Sequence, residues 1–200
     1  MLVDTGIIRA LLKLQNHYRT CRSNSKMSET IVKVAMNIWE LIFHSTCSRK
    51  LIVGIRDDVL ASIMSVAHTF MNKREIVGNA LFCISVHCTN ARGRKFIVDN
   101  NYIPYIAELC RRGAEVKAIV GATLRIFNEL CGLVRQNSDK KTFKRVDDAD
   151  INYKDTLFII MKNKGIFIAL GTLKVYTDVE LIRSAGKLLS STAFISFLVI

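Results

Sequence analysis

The sequence predicts an all-α fold built from repeated helical units. Ile31–Ala35 returns 45 residues later as Ile76–Ala80. Arg49–Val53 returns at the same displacement as Arg94–Val98. Ile119-Val120-Gly121 is a third copy of the first phrase and follows Ile76-Val77-Gly78 by 43 residues. One proline and 10 glycines in 200 residues favour helices over a turn-rich β fold. A period in the low forties is typical of two- or three-helix units that stack, and such stacks are usually binding surfaces.

Each predicted helix has its own local signal. The first helix opens the chain around Ile7–Leu12, and the next covers Glu29–Phe43, because its apolar side chains follow one helical face. Ser28 is a plausible N-cap for it. The later predicted elements follow in chain order. The next are a helix over 51–70 broken near Gly54–Asp58, an inner helix over Glu75–Cys88 and a polar linker over Asn90–Lys95.

An outer pair of helices is then predicted over Phe96–Arg112, bent at Asn100-Asn101, with Pro104 in a first turn. The last predicted elements are an inner helix over Glu115–Leu133, an outer helix over Leu157–Thr172, and a final inner helix from about Asp178.

The sequence therefore predicts one domain over residues 1–200, with about three and a half units. An irregular insert rich in Lys and Asp interrupts it at 136–155. Both chain ends are apolar where stacked arrays normally have polar caps. We expect either a longer parent chain or partners that cover these ends, self-association included. The alternative is that both ends fold back onto the core.

Charge is the strongest functional signal. The formal net charge is +12, with 29 basic and 17 acidic residues. Basic residues cluster in the segments that follow the inner helices, and stacking would bring those segments to one rim. The predicted basic rim comprises Arg49, Lys50, Arg92, Arg94, Lys95, Arg135, Lys140, Lys141, Lys144 and Arg145. A smaller predicted set on the inner helices comprises Lys33, Asn37, Lys117 and Arg125. The alternative is a surface that is merely solubilising.

An acidic protein surface is the partner that this pattern favours. Single-stranded nucleic acid is less favoured, because base stacking needs aromatic side chains that the rim nearly lacks. A nucleic-acid-binding helical repeat stays the second hypothesis. We expect no membrane span, since no run of eighteen apolar residues occurs. We also expect no membrane partner, because Leu181–Ile200 fits the terminal repeat better than a basic amphipathic helix that lies on a membrane.

Catalytic, metal and cofactor signatures are missing from the sequence. It has no Gly-rich phosphate loop, no His-Glu-x-x-His and no Gly-x-Ser-x-Gly. The six cysteines form no Cys-x-x-Cys pair, and we expect reduced, buried thiols in a cytoplasmic or nuclear setting. His44 and His87 fall one period apart and fit helix-end residues better than metal ligands. Trp39, the only tryptophan, fits core packing better than a binding anchor. The sequence predicts a protein that is not an enzyme and binds no cofactor.

Two family resemblances follow from these residues. The phrases Gly6-Ile7-Ile8-x-x-Leu11-Leu12 and Tyr102-Ile103-Pro104-x-Ile106 resemble the Gly-Ile-Pro-x-Leu-Val helix start of armadillo repeats. This implies an armadillo/HEAT-like α-solenoid of right-handed superhelical sense. The pattern of importin-α, an armadillo family that binds basic peptides through a ladder of Trp and Asn side chains, does not match this chain. The positions of the ladder's tryptophans are occupied by Asn37 and Phe82.

The second resemblance is looser. The basic, cysteine-containing array with the phrase Ala35-Met36-Asn37-Ile38-Trp39-Glu40-Leu41-Ile42 is similar to the C-terminal region of abnormal spindle (microcephaly-associated) proteins. The resemblance implies a role at microtubules or the spindle. Tubulin or a spindle-pole protein is then the expected acidic partner, and the cytoskeleton the expected location.

Overall fold

The described parts of the chain consist of α-helices joined by short non-helical segments. The computed structural model describes residues 6–20, 26–44, 57–132 and 153–198. Those residues form ten α-helices and no strand, which confirms the all-α prediction.

The chain divides into two compact units, Met1–His87 and Cys88–Ile200. The first unit contains α1 (Ile7–Thr20), α2 (Lys26–His44), α3 (Asp57–Thr69) and α4 (Arg74–His87). The second unit contains α5 (Ala91–Asp99), α6 (Ile103–Arg112), α7 (Lys117–Leu130), α8 (Tyr153–Lys162), α9 (Gly165–Val175) and α10 (Val179–Leu198).

The core of the first unit is tied together by a buried polar network. Helix α2 packs on α1 and α4, and α3 packs on the same two helices. Trp39 is fully buried, and its Nε1–H donates to Gln15 Oε1 at 2.9 Å. Gln15 Nε2 in turn donates to Ser62 Oγ at 2.9 Å. A buried tryptophan needs a partner for its N–H, and this chain of bonds supplies it while linking three helices. The prediction that Trp39 is a core residue is confirmed.

Two ion pairs and a hydrogen bond also join the helices α2 and α4 along their exposed edge. Lys33 Nζ lies 2.6 Å from Glu75 Oε2, and Lys73 Nζ lies 2.6 Å from Glu29 Oε2. One turn further along α2, Asn79 Nδ2 donates to Asn37 Oδ1 at 2.6 Å. Exposed ion pairs contribute about 1 kcal/mol or less each. Their arrangement on opposite helices favours this register of the two helices over a shifted one.

In the second unit, α7 packs on α10, and α9 packs on α6, α8 and α10. Polar contacts fasten the segment around Asp178 to the start of α7. Lys117 Nζ lies 2.6 Å from Asp178 Oδ2, and the Tyr176 hydroxyl donates to the Ala114 carbonyl at 2.8 Å. Asp178 also accepts from the backbone N–H of Leu181, so that it caps the first turn of α10.

Several predicted boundaries are confirmed in this unit and others are wrong. The bend at Asn100-Asn101 is present, with Asn101 at φ +53°, and Pro104 lies in the first turn of α6. The predicted linker Asn90–Lys95 is wrong: Asn90 is the N-cap of α5, where its side chain accepts from the Gly93 N–H at 2.8 Å. The predicted continuous helix Leu157–Thr172 is also wrong.

That helix is broken between α8 and α9. Lys164 adopts the left-handed conformation at φ +67°, and the two helices meet at a bend of 64°. Helix α8 begins at Tyr153, so the last three residues of the predicted insert are helical. The rest of the insert lies outside the described residues.

No single helix of the described ranges is both long and apolar enough to cross a bilayer. The bent pair Asp155–Lys162 and Gly165–Val175 reaches that length and apolarity only jointly.

Candidate interaction surface

The structure describes three members of the predicted basic rim, and all three lie on α5 rather than in a connector. Arg92 and Lys95 are exposed, and Lys95 Nζ lies 3.4 Å from Asp99 Oδ2 on the same helix. The other predicted members lie outside the described residues: Arg49, Lys50, Arg135, Lys140, Lys141, Lys144 and Arg145. The rim as a binding surface stays a prediction.

Arg94 does not belong to an exposed rim. It is only 3% exposed, and its Nη1 donates to the Cys88 carbonyl at 2.9 Å. The same nitrogen lies 3.7 Å from Glu129 Oε2, and Glu129 is itself buried. The helical phase of α5 explains the error, since residues 92 and 95 face solvent while 94 turns inward. Arg94 is a structural cation of the second unit.

The predicted inner-helix set is exposed or half-buried, and most of it contacts other protein groups. Lys33 and Lys117 form the ion pairs described above with Glu75 and Asp178. Asn37 accepts its hydrogen bond from Asn79, and Arg125 is exposed on α7. These contacts set helix register, so a partner that used Lys33 or Lys117 would compete with an existing carboxylate.

A different feature of the second unit is the best candidate site: helix α9 is packed in reverse. Its buried residues are the small ones, Gly165, Ala169 and Thr172. Most of its large apolar side chains point outward: Phe167 is 70% exposed and Val175 is 67% exposed, while Ile166 and Ile168 are half-buried. Leu170 and Leu173 are exposed as well. Apolar helices of globular proteins are normally buried, so this outward face is suited to covering by a partner.

Beside this face lies a groove of about 440 Å³ between α6, the start of α7, and α9. Apolar atoms form most of its walls: Pro104, Ala107, Val120, Phe167, Ile168, Gly171 and Val175. Tyr176 follows α9, and its bond to Ala114 ties the C-terminal ends of α6 and α9 together. A concave apolar site with a few polar groups at its margin is the usual form of a binding pocket.

The charged residues at the margin of the groove are mostly cationic. Among the described lining residues, Arg111, Lys162 and Lys164 are basic and only Glu108 is acidic. The Glu108 carboxylate accepts two hydrogen bonds from Arg111, at 2.7 and 2.8 Å, and one from Arg112 at 2.7 Å. These bonds from Arg111 and Arg112 lower the pKa of Glu108 to about 2, so it stays ionised and paired. The groove margin thus favours an anionic partner.

The four described cysteine thiols all have raised pKa values. Burial raises the pKa of Cys110, in the groove wall, to about 11, and that of Cys131 to about 12. Burial also raises the pKa of Cys83 and Cys88, and all four thiols are free. Such thiols stay protonated at neutral pH and are poor nucleophiles.

His44 and His87 lie at helix ends, as the sequence predicts: His44 is the last residue of α2 and His87 is the last residue of α4. The His44 ring stacks on Phe82, with ring centroids 4.3 Å apart. Within the described ranges, no three His, Cys, Asp or Glu side chains converge in a way that could hold a metal ion.

Sequence reasoning missed the groove because α9 is apolar on almost every side and therefore shows no preferred face. The available signal was the spacing of its small residues, Gly165, Ala169 and Thr172, which marks the side that packs closely on neighbouring helices. Comparisons with models of protein families, with curated proteins and with solved structures gave no match.

Proposed function

We propose that this protein is a non-catalytic interaction scaffold of armadillo/HEAT type that binds an acidic protein surface. The recurring helix contacts within each unit support the repeat assignment. In the first unit, α1 packs on α3 and α2 packs on α4. In the second unit, α6 packs on α9 and α7 packs on α10. Pairing of each helix with its counterpart in the next repeat is how helical-repeat proteins bury their apolar faces.

The single observation that carries the interaction role is the reversed packing of α9. A helix that turns Gly165 and Ala169 inward and Phe167 outward leaves its largest apolar side chain in water. A side chain of that size contributes about 1.5–3 kcal/mol when it leaves water. A protein partner that covers the outward face would recover this free energy.

The acidic character of the partner follows from charge. The whole chain carries +12, and Lys162, Lys164 and Lys174 lie on or beside the outward face of α9. Cations of one sign around an apolar surface accelerate association with acidic partners and disfavour basic ones. The similarity to abnormal spindle proteins makes the acidic tails of tubulin the first partner to test.

Co-sedimentation with stabilised microtubules tests this proposal. We expect the full chain to bind at low salt, with affinity that falls as salt rises and is lost when the acidic tails are removed by protease. Poly-L-glutamate serves as a second acidic probe. Failure to bind either probe at low salt would refute the proposal, and tighter binding to duplex DNA would favour the nucleic-acid hypothesis instead.

A charge-reversal pair tests the remaining rim. Arg92→Glu with Lys95→Glu should weaken binding to the acidic probe, because both side chains are exposed. The melting temperature should stay nearly constant, since exposed charges contribute about 1 kcal/mol or less. Arg9→Glu with Lys13→Glu, on the exposed side of α1, is the matched control for net charge. Equal loss of affinity in both double variants would show that net charge alone drives binding.

A further inference from the structure

We propose that the groove between α6 and α9 is a docking site for an acidic amphipathic helix of a partner protein. This inference rests on the proposed function and adds the site and the form of the partner. It depends on four features of the second unit: the shape of the groove, its apolar walls, the arrangement of its cations, and a glycine in its wall.

The shape of the groove suits one short helix. Helix α9 has 11 residues, which corresponds to a length of about 16 Å. The lining residues run from Pro104 to Ala114 along α6 and from Lys164 to Tyr176 along α9, so the groove follows both helices over their full length. A partner helix of about three turns would span it and would present apolar side chains at i, i+3, i+4 and i+7.

The walls offer apolar area that the protein itself does not cover. Phe167 lines the groove and is 70% exposed, and Val175 lines it and is 67% exposed. Aromatic side chains in such positions often dominate binding energies. Phe158, on α8, is exposed to a similar extent at 64% but does not line the groove, which makes it a matched control.

The cations flank the apolar walls and define the polarity of the partner. Lys162 and Lys164 lie just before α9 and are exposed, whereas Arg111, at the C-terminal end of α6, already donates to Glu108, so the two lysines carry the charge argument. Glu108, the acidic residue on the groove wall, is already bonded to Arg111 and Arg112. A partner helix that carries carboxylates beside its apolar stripe would therefore meet complementary charge, whereas a basic helix would be repelled.

Gly171 provides a way to close the groove without disturbing the fold. It lines the groove, and a Cβ placed on it would meet no atom within 4 Å. A leucine at this position would project into the space that the partner helix needs. Gly186, on α10, has equally open surroundings and does not line the groove. Gly171→Leu and Gly186→Leu therefore make the same chemical change, one inside the proposed site and one outside it.

The test is fluorescence anisotropy of the full chain with a labelled, glutamate-rich helical peptide of about 12 residues, which carries leucine at i, i+3, i+4 and i+7. A peptide of the same composition with its leucines scrambled is the charge-matched probe. We expect the amphipathic peptide to bind about tenfold more tightly than the scrambled one. Gly171→Leu and Phe167→Ala should each weaken binding about tenfold, while Gly186→Leu and Phe158→Ala should change it less than about twofold.

The outcomes separate this inference from the proposed function. Equal, salt-sensitive binding of both peptides, unaffected by Gly171→Leu, would overturn the groove site and leave acidic-protein binding intact. Absence of binding to either peptide, to microtubules and to poly-L-glutamate would overturn both. Circular dichroism of both glycine variants confirms that they fold.

Two other occupants would also overturn the inference. One is a second copy of the chain, detected as self-association in sedimentation that Gly171→Leu abolishes. The other is an anionic membrane, detected as binding to phosphatidylserine vesicles that Phe167→Ala abolishes while peptide binding stays unchanged.

Discussion

The buried ion pair in the second unit yields the sharpest stability prediction. Arg94 is 3% exposed and Glu129 is 4% exposed, with Arg94 Nη1 3.7 Å from Glu129 Oε2. Replacement of Arg94 by methionine keeps most of the side-chain volume but leaves the Glu129 carboxylate and the Cys88 carbonyl without the guanidinium. Removal of one partner of a buried pair costs about 3–5 kcal/mol. For a chain of this size, 1 kcal/mol shifts the melting temperature by about 2–4 °C.

We therefore expect Arg94→Met to lower the melting temperature by about 6–20 °C. Thermal unfolding followed by circular dichroism measures it. Arg92→Met, two residues earlier on the exposed side of α5, is the control and should change the stability by about 0.5 kcal/mol or less. Addition of Glu129→Leu to Arg94→Met should restore most of the loss, because an apolar pair replaces a broken ionic one.

A melting temperature for Arg94→Met within about 2 °C of the unaltered protein would refute this reasoning, since it would place Arg94 in water. The burial of Arg94 also affects the design of binding experiments. Reversal of charge at Arg94 would place a second carboxylate beside Glu129 and unfold the unit, so any loss of binding would be uninformative. Only Arg92 and Lys95 are suitable among the described rim residues.

Three further predictions concern packing, hydrogen bonding and pH. Gly171→Ala should raise the free energy of unfolding by about 0.5–1 kcal/mol, since Gly171 lies in open space within a helix. Gly165→Ala should lower the free energy of unfolding by about 1–3 kcal/mol, because its Cβ would lie 2.9 Å from the Ile160 carbonyl oxygen. Urea unfolding measures both changes, and equal effects of the two substitutions would contradict the packing of α9. Trp39→Phe should lower the free energy of unfolding by about 1–3 kcal/mol, because it leaves the buried Gln15 amide oxygen without its donor. A decrease below about 0.5 kcal/mol, measured by chemical denaturation, would show that the hydrogen-bond network contributes little. Because the pKa of Glu108 is lowered, its ion pairs stabilise the fold above the unfolded-state pKa of 4.5, and this stabilisation is lost as the pH falls towards about 2. The drop in melting temperature between pH 6 and pH 2.5 should therefore be smaller in Glu108→Gln than in the unaltered protein. An identical drop in both proteins would contradict this role of Glu108.

The sequence predicted helices well where an apolar face or a breaker residue marks them. The face that contains Val32, Ala35 and Trp39 predicts α2, and the asparagine pair before Pro104 predicts the bend between α5 and α6. Two of the failures, at Arg94 and at α9, have a common physical cause, which is the phase of a helix relative to its neighbours. The sequence indicates a surface position for Arg94, because its buried partner Glu129 lies 35 residues further along the chain.

Helix α9 is the second failure of this kind. Its apolar side chains surround the helix, so hydrophobic periodicity does not show that Phe167 faces solvent, and the spacing of the small residues is the one indication in the sequence. The groove could not be predicted for the same reason, since its walls come from three helices whose contact is a tertiary property. The break at Lys164 was missed because a non-glycine residue with positive φ has no strong sequence signal.

Cysteine labelling along α9 tests the central claim most directly, because both the interaction role and the groove depend on which side of this helix faces water. The measurement is the rate of maleimide labelling of Phe167→Cys, Leu170→Cys, Ala169→Cys and Thr172→Cys in the native protein, corrected for the unaltered protein. The account predicts that positions 167 and 170 react nearly as fast as an unfolded control, and that positions 169 and 172 react at least about tenfold more slowly. Fast labelling at 169 and 172 with protection at 167 and 170 would show that the large side chains face the core, and it would contradict the account.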